Sequence, residues 1–398
     1  MDQPAQALTP RKMRIANAVF FFISGFGYTT WTSRIPDLKL QLHLDKAQLG
    51  AALFALPIGL FVTIPFTSRL LSKFSSNGIM LIGAIAFNLM LALVGYSNAY
   101  WMFIVILFFF GSSRNLLNLA TNTQSVSVQK FYDKSIITTF HGIWSLSGLA
   151  GVFTSWMMTF LNVPTRWHML VVAILLSVAG FLAYPNTLNQ KPEPKEEIED
   201  DNQTFFQKRF KTASLIFQDR ALLKFALICF ATMACENVMY DWSGIYIREA
   251  VHANEKIVTT GLLVFMVSVA LGRFIGDRMT GRWGIKRLLV NSSILIVSGF
   301  AIAILLPHVA SALVGFSLIG FGVSCIVPLV YSMAGKSKAL SEGPAIAAVS
   351  SIGYLGFLFV PPFVGFVAQA VNLQVAFGVI ALLGLLILWM TTKIGDTK

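Results

Sequence analysis

Long apolar runs recur from one end of the chain to the other. Each run is about 20 residues long, the length at which an α-helix crosses the hydrocarbon core of a bilayer. Strands of a membrane barrel would instead alternate apolar and polar residues over about 10 positions, and these runs do not alternate. The pattern predicts twelve membrane-spanning helices, near residues 14–33, 47–68, 78–98, 100–126, 137–161, 165–187, 221–247, 257–279, 287–307, 310–334, 343–370 and 373–392.

The composition agrees with this pattern. Of the 398 residues, 56% are hydrophobic and only 12% are charged. The charged share is about half that of a typical soluble protein. We therefore expect an all-α membrane protein, for which the lipid bilayer is an obligatory partner.

The positive charge is unevenly distributed among the predicted loops. Most Lys and Arg residues lie in the loops on the same side as the two chain ends, and the net charge is +12. Basic loops stay in the cytoplasm, so both termini are predicted to be cytoplasmic. This topology accounts for the excess of positive charge, and nucleic acid is not expected as a partner.

A polar segment divides the runs into two groups of six. NQKPEPKEEIEDDNQ is acidic and contains proline, and the following TFFQKRFKTASLIF has the pattern of an amphipathic helix that lies on the membrane surface. A solvated tether is the alternative for this second stretch. We predict an N-terminal six-helix bundle at 1–187, a cytoplasmic linker with an interfacial helix at 188–220, and a C-terminal six-helix bundle at 221–398.

The two halves share a weak repeat. TTWTS at 29–33 aligns with YDWSG at 240–244, and a basic residue follows each tryptophan at a similar distance, Arg69 in the first half and Arg278 in the second. The repeat predicts two pseudo-symmetric bundles. Parallel repeats of six spans are typical of one large class of secondary transporters.

Several motifs resemble a known family. GRFIGDRMTGRWGIKR at 272–287 resembles the signature loop of the major facilitator superfamily. SRIPDLKLQLHLDKAQLG at 33–50, the stretch 122–151 and ENVMYDWSGIYIRE at 236–249 are similar to the YbjJ-like branch of bacterial inner-membrane transporters. The resemblance implies the twelve-helix fold of that superfamily, alternating access, and a location in the bacterial cytoplasmic (inner) membrane. We expect a monomer without a cofactor.

The signature loop predicts a cytoplasmic gate. Small residues let helices approach closely, and a carboxylate at a helix end can pair with basic groups of a neighbouring helix. In the first half, SRLLSKFSSNG lacks the usual acid, and a simple topology anchor is the alternative reading of both loops. The predicted gate residues are Gly272, Gly276, Asp277, Arg278, Arg282, Arg69 and Lys73.

A polar face inside the fourth span predicts a solute site. A charge at this depth is costly, so it needs a functional or structural reason. Asn118 and Asn122 share the helical face of Arg114, which would hold an anionic or polyhydroxyl solute. Hydrogen bonding between helices is the alternative. The aromatic rings that could stack on a ring-shaped solute are Trp31, Trp144, Trp242 and Tyr354. Interfacial anchoring explains Trp31 and Trp242 about as well, because they lie at corresponding outer positions in the two halves. Tyr240, on the helical face of Glu236, is a further candidate for the solute site.

Three ionisable residues are candidates for proton coupling. Glu236 and Asp241 lie five positions apart, so an unbroken helix turns them about 140° away from each other. We expect Glu236 to face the cavity and carry the proton, and Asp241 to have a structural or outer-gate role. His141 opens the fifth span and either titrates or acts as a structural hydrogen-bonding group.

The predicted function is proton-coupled secondary transport, by symport, of a small polar organic solute. An exporter of drugs or metabolites is the alternative within the same class. A membrane enzyme is disfavoured because the chain has no GxxxxGK[ST], HExxH or GxSxG motif. The internal repeat disfavours a channel or a sensor. Cys229, Cys235 and Cys325 have no metal-ligand spacing, so no metal site is predicted.

Overall fold

A computed structural model describes residues 9–134, 136–189, 219–337 and 340–394, without the side chains of Asp277 and Glu342. Within these ranges the chain forms α-helices and two short 3₁₀ turns, and no strand occurs among the described residues. The helices are α1 (Pro10–Ser33), α2 (Ile35–Gln41), α3 (Lys46–Lys73), α4 (Ser76–Gly95), α5 (Tyr100–Gln129), α6 (Ile137–Phe160), α7 (Thr165–Ala183), α8 (Arg220–Glu249), α9 (Thr260–Trp283), α10 (Ile285–Leu305), α11 (Val309–Ala334), α12 (Glu342–Ala370) and α13 (Leu373–Thr392).

The predicted all-α membrane fold is confirmed. Each of the twelve predicted spans coincides with one long helix, and ten helical stretches are long and apolar enough to cross a membrane by length and composition. The other two long helices, α1 and α6, are not among these ten. The short helix α2 was not predicted, because its seven residues are too few to show a hydrophobic period.

Local sequence signals explain where several helices begin. The Thr9 hydroxyl accepts a hydrogen bond from the Lys12 N–H, with Pro10 in the first helical position of α1. Asp219 accepts from the first amides of α8, and Asn372 accepts from Val375 at the start of α13. Such caps satisfy amides that have no partner within their own helix.

The described residues group into two compact units. The described residues of unit 1 fall within Met1–Arg34, Ala55–Met158 and Val163–Glu199, and those of unit 2 fall within Ile35–Phe54, Thr159–Asn162 and Asp200–Lys398. The division of the sequence at 187 and 220 stays a prediction, and the predicted interfacial helix of the linker lies outside the described residues.

In unit 1, close helix packing and stacked aromatic rings form the core. Gly111 of α5 lies against the backbone of α3, where an added Cβ would stand 2.8 Å from the Leu56 carbonyl carbon. Phe110 stacks on Phe87 of α4, with ring centroids 4.7 Å apart. Small residues therefore bring the helices together at the points where their backbones meet, as is common in membranes.

In unit 2, close contact between glycines joins α10 to α11. Gly299 and Gly315 face each other so closely that a Cβ on either would meet the other's carbonyl oxygen. Nearby, the Tyr246 hydroxyl of α8 donates to the Ala303 carbonyl at 2.8 Å, and its ring packs against Phe377 of α13. These contacts fix α8, which carries two of the predicted coupling acids.

Candidate functional site

Arg114 lies in the middle of α5, within unit 1, and is partly buried. Its guanidinium carbon is 3.6 Å from the centroid of the Tyr28 ring, on α1. The buried Nε of Arg114 has no hydrogen-bond acceptor among the described residues. The cation is therefore held against an aromatic face, while at least one of its donors is unused.

Asn118 and Asn122 follow Arg114 by one and two turns. The Ser24 hydroxyl of α1 donates to Asn118 Oδ1 at 2.7 Å, and Asn122 Nδ2 donates to the Asn118 carbonyl at 2.8 Å. The contact with Ser24 is the hydrogen bond between helices that was the alternative for this face. The role of the two amides as solute ligands stays a prediction.

The two predicted tryptophans of unit 1 lie in packed surroundings. Trp31 is 1% exposed and contacts Phe103 and Phe110, whose ring centroids are 5.9 and 6.1 Å away. Trp144 is partly buried and packs on the apolar cluster that contains Met13, Phe21, Val128, Ile136 and Phe140. In this conformation Trp31 offers no face to a solute, so stacking by Trp31 requires another conformation.

Glu236 of α8 has a basic neighbour in unit 2. Its side chain is 14% exposed, and its Oε1 lies 3.9 Å from Arg273 Nη2 on α9. Arg273 was not singled out from the sequence, although it belongs to the quoted signature loop. The two residues are 37 positions apart on different helices, so no local period connects them.

Asp241 has a different environment from Glu236, as expected from their angular offset. It is 7% exposed, and its Oδ2 accepts a hydrogen bond from Asn237 Nδ2 at 3.0 Å, one turn earlier on α8. This contact suits the structural role predicted for Asp241. Its role as an outer-gate residue stays a prediction.

The remaining predicted binding and coupling residues are spread over three helices. His141 is exposed on α6 and contacts the Phe21 ring edge-on at 5.4 Å. Tyr240 and Trp242 are buried on α8, and the Tyr240 ring lies edge-on to Phe265. Tyr354 of α12 is 46% exposed and so presents an accessible ring.

The glycines of the predicted gate lie where α9 packs on α11. A Cβ on Gly272 would stand 2.8 Å from the Ser324 Cβ, and a Cβ on Gly276 would collide with the Cys325 sulfur. The basic gate residues Arg69, Lys73, Arg278 and Arg282 are exposed. The side chain of Asp277 lies outside the described residues, so its pairing stays a prediction.

A network of ion pairs in unit 2 was missed from the sequence. Arg248, near the end of α8, bonds Asp37 Oδ1 at 2.9 Å and also pairs with Glu255. Its neighbour Glu249 pairs with Lys39 and lies 3.7 Å from Lys46. The network connects the segment 35–54 to α8, and only the opposite charges in SRIPDLKLQLHLDK and IREAVHANEK hinted at it.

Metal binding has no support in the described part of the chain. No group of three His, Cys, Asp or Glu side chains there is arranged to hold an ion. Cys229, Cys235 and Cys325 are free thiols.

The long apolar helices define a helical, multi-pass membrane protein. A family model described as Major Facilitator Superfamily matches residues 18–342. The chain belongs to this superfamily, whose members carry small-molecule solutes across membranes and are not enzymes.

Relatives agree with this assignment along almost the whole chain. An uncharacterized MFS-type transporter of Yersinia pestis is 28% identical over 95% of both chains. Membrane protein MosC of Rhizobium meliloti is 26% identical over 95% of this chain and 89% of its own length. Both matches extend well beyond the signature loop.

Solved structures show the same fold. A point mutant of the nucleoside transporter NupG matches with a TM-score of 0.78 and 14% identity, over 96% of this chain and 99% of its own. A bacterial homologue of the human lysosomal transporter Spinster, in an inward-facing conformation, has a TM-score of 0.70 and 12% identity, over 98% and 97% of the two chains. At these identities the likeness concerns the fold alone.

Proposed function

We propose that this chain is a secondary active transporter that moves a small polar organic solute across the cytoplasmic membrane by alternating access, coupled to protons. The observation that carries the proposal is the environment of the Arg114 side chain. Its charge lies partly buried within a membrane span, against the Tyr28 ring, with an unused Nε donor. A group that is so costly at this depth suits a site that receives a polar ligand.

The chemistry of Arg114 indicates the class of solute. A guanidinium offers five donors in a planar fork, which matches carboxylates, phosphates and pairs of hydroxyls. Asn118 and Asn122 add amide groups on the same helical face. Sugars, sugar acids and carboxylates fit this pattern, and nucleosides join them because their ribose carries paired hydroxyls.

The proposed coupling step uses Glu236 and Arg273. When Glu236 is ionised, the carboxylate attracts the guanidinium 3.9 Å away. When Glu236 takes up a proton, that attraction is lost and the two helices α8 and α9 are released from it. Proton binding thereby biases the conformation of unit 2, as a coupling site must.

Further parts of the proposal concern placement and gating. Both termini lie in the cytoplasm, the protein works as a monomer, and Asp277 with the neighbouring basic residues closes the cytoplasmic side. Support comes from the distribution of Lys and Arg and from the tight packing of Gly272 and Gly276 against α11.

A thermal-shift screen of the purified protein tests the proposal. A ligand at 100 times its dissociation constant stabilises the folded state by about 2.7 kcal/mol. We expect stabilisation by one of the polar classes above, and its loss in Arg114→Ala. Stabilisation by lipophilic cations alone, unchanged in Arg114→Ala, would instead favour the second candidate, an exporter of drugs or metabolites.

A further inference from the structure

An apolar groove of about 490 Å³ lies in unit 1 between α1, α6 and α7. Its walls include Phe22 and Phe26 of α1, Met158 of α6 and Leu175 of α7. Phe22 and Leu175 are 38% and 62% exposed, so the groove is open on its outer side. Because these helices cross the membrane, a groove of this composition meets hydrocarbon and not a polar solute.

Two polar side chains interrupt the apolar wall, and the first, Thr154, donates to the Ala150 carbonyl of its own helix. His168 lines the groove, is 4% exposed, and neither of its ring nitrogens has a hydrogen-bond partner among the described residues. A buried polar group without a partner is destabilising and rare in folded proteins. A ligand that brings a hydrogen-bonding group to this point would remove that cost.

The position of His168 along α7 indicates the level of the membrane. The helix begins at Thr165, so His168 lies in its first turn. Next to it, the exposed Trp167 lies beside the Arg166 guanidinium, at 5.6 Å, and edge-on to Tyr96. Tryptophan, tyrosine and arginine gather at the headgroup level of a bilayer. His168 therefore lies close to the depth of lipid ester groups.

The length of the groove matches one leaflet. Its lining residues on α7 extend from Trp167 to Ala179. At 1.5 Å per residue these twelve steps span about 18 Å. Half of the ~30 Å hydrocarbon core is about 15 Å. An acyl chain that enters beside His168 would fill the groove towards Ala179.

We propose that this groove is a binding site for one acyl chain of a diacyl phospholipid, and that His168 donates a hydrogen bond to the ester carbonyl of that chain. Three observations converge on this occupant: the apolar walls, the buried imidazole at the ester level, and a length of one leaflet. The site differs from the proposed solute site around Arg114 in residues, polarity and ligand.

Photolabelling of the full-length protein tests the groove. The probe is phosphatidylglycerol with a diazirine in one acyl chain, incorporated into vesicles of unlabelled phosphatidylglycerol. We expect the peptide that contains Val171 to Ala179 to be labelled several-fold above other lipid-exposed helices such as α13.

Two variants of α7 control this measurement. Ala179→Trp fills the groove and should abolish the excess labelling. Leu182→Trp, three residues further on the same helix and 74% exposed, should leave the excess unchanged. Uniform labelling of all exposed helices would overturn the proposal.

A second measurement isolates the role of His168. Native mass spectrometry counts retained lipid after incubation with a diester phosphatidylglycerol or with its diether analogue, which lacks the carbonyl acceptor. We expect the wild-type protein to retain several-fold more diester than diether lipid, and His168→Leu to retain both equally. Equal retention of the two lipids by the wild-type protein would refute the hydrogen bond to His168. Solute-induced thermal stabilisation, measured on the same samples, should not change.

Discussion

Arg114 of unit 1 and Glu236 of unit 2 show two different ways of keeping a charge within a membrane span. Arg114 rests on the ring of Tyr28, and its Nε has no acceptor in the described part of the chain. Glu236 has a partner of opposite charge, Arg273, at 3.9 Å. The first charge is held by an aromatic face, and the second by another charge of the same unit.

The difference separates two kinds of function. A cation on an aromatic ring gains about 0.5 to 2 kcal/mol, less than a bidentate, charge-assisted pair offers. Arg114 therefore loses little when it turns towards an incoming anion. A carboxylate beside an arginine instead changes its interaction whenever it gains or loses a proton. The comparison supports the proposal that the first region binds solute and the second couples protons, and the following variants test it.

The largest expected effect is that of Arg114→Ala. Removing the fork should weaken solute binding at least tenfold, which corresponds to about 1.4 kcal/mol. Arg114→Lys should lose nearly as much, because an ammonium cannot reproduce bidentate hydrogen bonding. The measurement is ligand affinity from thermal shifts or calorimetry, with the solute that the screen identifies.

Arg14→Ala is the matched control for Arg114. Arg14 also lies over a tyrosine, with its guanidinium carbon 5.6 Å from the Tyr132 ring, but at the beginning of α1 and outside the polar face of α5. We expect this variant to bind solute like the wild type. Equal losses in Arg14→Ala and Arg114→Ala, or no loss in either, would mean that Arg114 is a structural residue.

Glu236→Gln should uncouple transport from protons. The amide cannot ionise, so we expect proteoliposomes with an imposed pH gradient to show no solute accumulation, while exchange of labelled for unlabelled solute continues. Asp241→Asn is the control, since Asp241 is buried on the same helix but bonded to Asn237. If Asp241 has only the structural role that this hydrogen bond suits, accumulation persists in that variant. If Glu236→Gln accumulates solute as well as the wild type, Glu236 has no role in coupling.

The sequence predicted the fold well because membrane spans are read from uninterrupted apolarity. Twelve long helices, and the acids and bases inside them, follow from single runs of residues. The partners of those acids and bases cannot be predicted from single runs, because Tyr28 lies 86 positions before Arg114 and Arg273 lies 37 positions after Glu236. Such pairs depend on which faces of separate helices meet. The ion pairs of Arg248 were missed for the same reason, whereas α2 was missed because its seven residues are too few to show a hydrophobic period.

Gly272→Ala tests whether the second region depends on close packing of α9, which carries Arg273. The new methyl group would stand 2.8 Å from the Ser324 Cβ, so one of the helices must shift. Overpacking of this kind costs about 1 to 3 kcal/mol. Thermal unfolding in detergent should show a lowered midpoint. Gly281→Ala on the same helix has open space around the added Cβ and should be neutral or slightly stabilising. Equal midpoints for the two variants would contradict the close contact.

The smallest expected effect concerns Arg248, a charge with two acidic partners. The Arg248 side chain is 9% exposed and bonds both Asp37, 24% exposed, and Glu255, 60% exposed. Solvent weakens ion pairs, so the partner that is more buried should couple more strongly. Double-mutant cycles with Arg248→Gln should give a coupling of about 1 kcal/mol with Asp37→Asn and about 0.5 kcal/mol or less with Glu255→Gln. A larger coupling to Glu255 would mean that geometry, and not burial, sets the strength of these pairs. The contrast between Arg114 and Glu236 would then also need to be explained by geometry.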